Sequence, residues 1–324
     1  MNRRINRVGS TLRQPSPRRH DCFIAPSPRA ANIGEAYPTE HAMRDLPLPT
    51  FPISDLTARA VPRRSLHRRE TTAGALGTDR HGFDVVWARD EDDVRQAQQL
   101  RYLVFAGEMG ARLTPPAGSP AGHDIDVFDP FCEHLLLRAR RPDGGPGAVI
   151  GTYRVLTPAS AQRVGGLYAD AEFDLTRLRP LRAKMVELGR ACVHPDWRSG
   201  GAIMALWAAL AAFMQRNRLD TMIGCATVSM RDGGHVAASL WEQLRKTRLA
   251  SIEWQVAPRL PLPVDELQNT LKVDAPPLIK GYLRCGAKVL GAPAWDPDFN
   301  TADLPMLLRI DDLPTRYGRH FLGR

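Results

Sequence analysis

The stretch Val186-Glu187-Leu188-Gly189-Arg190-Ala191-Cys192-Val193 sets two ionisable side chains in an otherwise apolar run of strand character. An ionised group among Val186 and Leu188 needs a partner or a function to offset its desolvation. A carboxyl in such surroundings titrates high, which suits Glu187 to accept a proton from an ammonium nucleophile near neutral pH, the work of a general base. Arg190 follows three residues on. Strict strand alternation puts the two on opposite faces unless a bulge intervenes, and a structural Glu187–Arg190 ion pair is the plainer alternative.

The strand runs into His194-Pro195-Asp196-Trp197-Arg198-Ser199-Gly200-Gly201-Ala202-Ile203, a basic glycine turn that opens a helix. Backbone N–H groups at such a turn converge on one point and favour a phosphate, and Arg198 adds charge. A phosphopantetheine carrier suits this cradle, formed by Val193, Arg198, Ser199, Gly200, Gly201 and Ala202; a plain loop before a helix is the alternative. His134, His194 and His235 are tempting bases, but lone histidines are more often structural, and none is assigned to catalysis.

These groups need a scaffold. Phe83–Ala88 has the β-branched and aromatic content of an edge strand, and Asp90-Glu91-Asp92-Asp93 reads as N-cap and first helical turn. Val94, Ala97, Leu100, Arg101, Val104 and Phe105 recur three and four apart, which puts Arg101 at the edge of an apolar helix face. Beyond a Gly/Pro-rich loop over residues 110 to 124, the runs 133–139 and 148–156 flank a turn and read as a β-hairpin. A strand over 184–193, a helix over 202–217 and a strand over 221–229 predict a parallel crossover. An amphipathic helix over 235–249 carries Trp241, Leu244 and Leu249 beside Arg245, Lys246 and Arg248; it suits an anionic lipid surface or an acidic carrier protein, or a solvated face. Short extended pieces are expected around 279–290 and 304–310, with no internal repeat and no second domain boundary.

Composition narrows the classes. The chain has 324 residues, 43% of them hydrophobic, enough for a sizeable core. Of the formal +9 charge, +7 lies in residues 1–80, which hold 14 Arg, no Lys and 7 acids, so no basic, aromatic-studded face of a nucleic-acid binder is left for the folded part. That Arg/Pro-rich segment reads as a disordered tail; a transit peptide, or translation from Met43, is the alternative, and the domain is placed at 81–324 with a C-terminal extension. Five dispersed cysteines imply reduced thiols, and no ligand spacing suggests a metal. The most apolar run, Ala202–Met214, is too short to span a bilayer and reads as a buried helix.

Val193-x-Pro195-x-x-Arg198, the glycine turn and the helix resemble the acyl-donor loop of the GNAT superfamily, although Ile203 stands where the acetyl-CoA loop has a small residue. A closer resemblance lies in Arg101-x-x-x-Phe105, Asp126-Val127-Phe128-Asp129, Gly151-Thr152-Tyr153-Arg154, Tyr168-x-x-x-Glu172-Phe173-Asp174-Leu175 and Glu187-x-x-Arg190, spread over about residues 83–250. In order and content these are similar to the ornithine lipid acyltransferases; acyl-homoserine lactone synthases share part of the pattern.

The resemblance implies an α/β GNAT fold: a mixed, mostly antiparallel twisted sheet with a splayed parallel pair and flanking helices. It implies transfer of a (3-hydroxy)fatty acyl group from acyl carrier protein to the α-amine of L-ornithine, giving lyso-ornithine lipid. No permanent cofactor is implied. The location implied is the cytoplasm, with peripheral contact on the inner membrane. Glu187, Arg190 and Arg154 become the catalytic set, and Arg101, Phe105, Asp124, Asp126, Asp129, His134 and Glu172 the acceptor-binding set, the acids attracting the cationic amines. An acetyl-CoA-dependent small-molecule acetyltransferase and a non-catalytic lipid- or carrier-binding module remain as other readings.

Overall fold

The computed structural model describes residues 82–143, 145–198 and 201–322. The tail over residues 1–80, with Met43, lies outside the described residues, as do Ser199 and Gly200 of the glycine turn.

The described chain opens with β1 (Phe83–Trp87) and α1 (Glu91–Tyr102). Asp90 caps α1 by accepting from the Asp93 N–H at 2.9 Å, with acids filling the first turn. The helix runs on into a π-helical turn, Leu103–Met109, a distortion that concentrates at functional sites, and Gly110 ends it in the left-handed conformation. The expected hairpin is β2 (Glu133–Arg140) and β3 (Pro146–Leu156). Next come α2 (Pro158–Val164), β4 (Phe173–Asp174), β5 (Met185–Val193), α3 (Gly201–Arg216) and β6 (Thr221–Ser229). The last third adds α4 (His235–Thr247), β7 (Ala257–Pro258), α5 (Pro277–Arg284), β8 (Lys288–Val289), β9 (Ala294–Asp296), β10 (Thr301–Arg309) and α6 (Thr315–Leu322).

Eight strands form one sheet in the order β1-β2-β3-β5-β6-β10-β8, with β9 also on β10, and β1 lies at the edge as its sequence suggests. Every neighbouring pair is antiparallel except β5 and β6. Their parallel pairing covers only Met185–Glu187 against Thr221–Ile223, after which the strands part. Gly224 is required where they part, since a Cβ there would lie 2.5 Å from the Leu188 carbonyl oxygen.

Alternation divides the sheet. Tyr153 and Val155 of β3 and Val186 of β5 pack with Leu135 and Leu137 on Leu206, Leu210 and Phe213 of α3, the buried helix expected from the apolar run. Arg154 and Glu187, between them in sequence, project from the other face. No helix among the described residues is long and apolar enough to cross a membrane. In α4 the apolar side joins the core with β6 and β10, while Arg245 and Lys246 lie 2.7 and 3.9 Å from Glu242 oxygens.

One expectation is corrected. Of the extended piece placed at 279–290, Pro277–Arg284 is helical and only Lys288–Val289 is strand. Eight residues are too few to show a helical period, and Gly281, which reads as a breaker, is there because the Trp207 ring lies on α5; a Cβ would meet it at 2.3 Å.

Candidate active site

Glu187 is the last paired residue of β5 before the splay and is 5% exposed. Its oxygens accept the backbone N–H groups of Tyr168 at 2.6 Å and Ala169 at 2.7 Å. Burial pushes its carboxyl up to about 7, against the opposing pull of those N–H groups and of Arg154. The grip also places the Tyr168 ring, which lies over the guanidinium of Arg190 at 5.2 Å and that of Arg154 at 6.0 Å.

The bulge that the alternation argument required is present. Gly189 pairs with Arg154 but Cys192 with Thr152, leaving one extra residue on β5, and Arg190 takes the left-handed conformation with φ 50°. Glu187 and Arg190 are thereby brought together around Tyr168 without forming an ion pair with each other. The Arg190 guanidinium also lies over Phe299 at 4.8 Å and over Phe105, in the π-helical turn, at 5.9 Å.

The structure engages the three aspartates expected to face a cationic acceptor with arginines instead. Arg101, wholly buried rather than at the edge of its helix face, donates to Asp124 at 2.7 Å and to Asp129 at 2.6 Å. Arg154 donates to both Asp126 oxygens at 2.6 Å and to Asp129 at 3.1 Å. Arg190 reaches Asp126 at 3.3 Å, and its Nε lies 3.4 Å from Asp124. Three cations thus face three anions. Burial works against ionisation, but Arg101 and Arg154 around Asp129, and Arg154 and Arg190 around Asp126, hold both carboxyls below the usual range. His134 donates from Nε2 to the Asp129 carbonyl at 3.0 Å, and burial drives it down to about 4, so it braces the network as a neutral ring.

Free acidity lies elsewhere, in a set the sequence reading reached only through Glu172. Carboxylate oxygens of Glu172, Asp296 and Asp303 fall within 4.8 Å of one another. Among the described residues none of the three forms an ion pair, and both Glu172 oxygens are buried with no hydrogen-bond partner. Asp303 accepts from the Thr301 hydroxyl at 3.2 Å, and Asp296 from the backbone N–H groups of Asp298 and Phe299. Burial raises Glu172; burial with repulsion from Glu172 and Asp296 pushes Asp303 well above the carboxylate range. Arg190 and Tyr168 lie within electrostatic reach, so a guanidinium and an uncompensated acid cluster share one space.

On the donor side, Gly201 opens α3, Ala202 is buried and Val193 is half-buried. Arg198 is paired: both its terminal nitrogens donate to Glu108 at 2.6 Å and its Nε to the Val193 carbonyl at 3.0 Å. Burial pushes the Cys192 thiol up to about 12 and raises Cys132 and Cys225 too, which leaves no thiolate to act as nucleophile among these three.

A family model described as an acetyltransferase (GNAT) domain matches residues 100–208. Among solved structures, FeeM, an N-acyl amino acid synthase from uncultured soil microbes, aligns with a TM-score of 0.44 at 10% identity, over 72% of this chain and 97% of that one. The L-ornithine N(alpha)-acyltransferase of Agrobacterium fabrum is 35% identical over 263 residues, 77% of this chain and 87% of that protein. The protein of the same name from Rhodobacter capsulatus is 34% identical over 253 residues, 75% of this chain and 95% of that one. On this similarity the chain is an N-acyltransferase with the GNAT fold and belongs to the family of the L-ornithine N(alpha)-acyltransferases.

Proposed function

We propose that the protein transfers a fatty acyl group from the phosphopantetheine thioester of acyl carrier protein to the α-amine of L-ornithine, giving lyso-ornithine lipid. The observation that carries the acceptor half is the uncompensated cluster of Glu172, Asp296 and Asp303 beside Arg190. An amino acid with a second amine matches both charges: its carboxylate meets the guanidinium and its side-chain ammonium the acids. The names of the curated relatives point the same way.

In the reaction the α-ammonium gives a proton to Glu187, directly or through water, and the amine attacks the thioester carbonyl carbon. A backbone N–H on the stretch of β5 beyond Glu187, freed by the splay, stabilises the oxyanion. The intermediate collapses to the amide, and the pantetheine sulfur leaves and takes up a proton. No covalent enzyme intermediate is required, in keeping with the raised thiols. Arg198 and the first turn of α3 meet the donor phosphate, Arg198 exchanging Glu108 for it.

The test is an assay of the full chain with 3-hydroxyacyl carrier protein or acetyl-CoA as donor and ornithine as acceptor, read by mass spectrometry. Acyl-ornithine formed from the carrier protein supports the reading. Acetyl-ornithine from acetyl-CoA alone would make it a small-molecule acetyltransferase, and no product from either donor would leave a binding module.

A further inference from the structure

On the α3 face of the sheet, opposite the acceptor groups, the protein has a partly open cavity of about 90 Å³ that the chemistry above does not use. One end is at Leu188, Gly224 and Cys225, where β5 and β6 stop pairing. The other is at Ile310, Leu313 and Phe321, on the segment that closes over the start of β6. Register fixes the direction: Leu308 pairs with Met222, and the Ile310 N–H donates to the Asp220 carbonyl. From Asp220 to Cys225 the strand rises roughly 17 Å at ~3.3 Å per residue.

The wall contains no charged side chain, and it is mostly carbon. Its tyrosines, Tyr153 and Tyr282, hydrogen-bond each other through their hydroxyls, and Trp207 stacks on Tyr282 with ring centroids 5.4 Å apart. A wall lined this way loses packing contacts unless an apolar ligand covers it. The indole N–H of Trp207 is left unpartnered, but with no charged side chain in the lining the wall favours hydrocarbon over an ion or a sugar. A hydrocarbon entering at the splay, where the thioester must lie, fits both the chemistry of the wall and the position of the mouth.

We infer that this cavity receives the fatty acyl chain of the donor, and that the wall formed by Ile310, Leu313 and Phe321 of the C-terminal segment sets the chain length the enzyme accepts. The inference rests on the proposed use of a fatty acyl thioester. Phe321 belongs to α6, where Tyr317 stacks on it at 5.9 Å, so the C-terminal helix is itself part of the wall. Each methylene withdrawn from water strengthens binding roughly fourfold, so shortening the cavity by about three methylenes discriminates about fiftyfold against a long chain.

The experiment compares the full chain with Ile310→Trp and Phe321→Ala, using butyryl, decanoyl and hexadecanoyl carrier protein with ornithine. Melting curves select variants that fold. Ile310→Trp is expected to lower kcat/KM for the hexadecanoyl donor about fiftyfold while leaving the butyryl donor within about twofold, and Phe321→Ala to shift the preference to longer chains. Folded variants that keep the wild-type profile, or lose all three donors equally, overturn the inference. If the wild type acylates no ornithine at all, the proposed function fails by itself, and binding of cis-parinaric acid, a fluorescent fatty acid, decides the cavity: loss of binding in Ile310→Trp upholds it, and equal binding in both proteins sinks it.

Discussion

Glu187→Gln separates the proton acceptor from the loop anchor, because glutamine keeps one oxygen for a backbone N–H but cannot titrate. Burial raises the carboxyl from an ordinary 4.5 to about 7, so the folded state holds a proton over a pH window in which the unfolded chain has released it. Stability from this group is therefore greatest below about pH 4.5, falls as pH rises toward 7, and is level above that. Across pH 5 to 8 the wild type loses on the order of 2 to 3 kcal/mol through Glu187, which the variant does not. The mismatch of the Gln amide with one of the two N–H groups of Tyr168 and Ala169 costs about the same at either pH and cancels in the comparison. Urea unfolding at pH 5 and pH 8 should show the stability of Glu187→Gln relative to wild type improving by on the order of 2 to 3 kcal/mol at the higher pH. Glu172 and Asp303 also titrate high, so the difference between the two proteins is diagnostic and the wild-type curve alone is not. In turnover, wild-type kcat should rise with pH through about 7 and level off, while the variant falls about a hundredfold or more and loses that limb. A folded Glu187→Gln that retains the limb, or a stability difference that does not change with pH, would refute the assignment of proton acceptor.

Other outcomes follow from the same geometry. Asp303→Asn should abolish most of the preference for ornithine over norvaline, which lacks the side-chain amine, on the order of tenfold or more in the ratio of kcat/KM, and should leave the rate with norvaline much less affected. Arg198→Ala should raise KM for the acyl carrier protein about three- to tenfold with little change in kcat, since Arg198 is half-exposed and acts on a remote phosphate; an unchanged KM would remove it from the donor site. Cys192→Ala should retain activity within about threefold, and trapping with acyl donor alone should leave no acyl-enzyme on a cysteine by mass spectrometry.

Much of the frame is legible in sequence because local signals and tertiary demands agree. The runs 133–139 and 148–156 around their turn announce the hairpin, the strands placed at 184–193 and 221–229 with the helix between them dictate the crossover, and Asp90 announces α1. Elements failed where a local signal was short or was overridden, as in α5, whose Gly281 answers to Trp207 rather than to its own propensity. The site divides differently. Lone ionisable groups in apolar strands singled out Glu187 and Arg190, but the pairing of the acids of 124–129 with arginines was not visible because the partners are distant in sequence: Arg101 is 23 residues from Asp124, and Arg190 is 64 from Asp126. Sequence shows a charge, not whether another charge already cancels it. The same logic that found Glu187 would have found Asp303, an acid on a strand whose neighbours Ala302, Leu304, Pro305, Met306 and Leu307 are apolar and buried. It also explains why Asp303 remains available for a ligand: β10 pairs with β6 and β9, none of these strands brings a cation to it, and the acid cluster keeps its appetite for an ammonium that the Arg101–Arg154–Arg190 network has already satisfied for its aspartates.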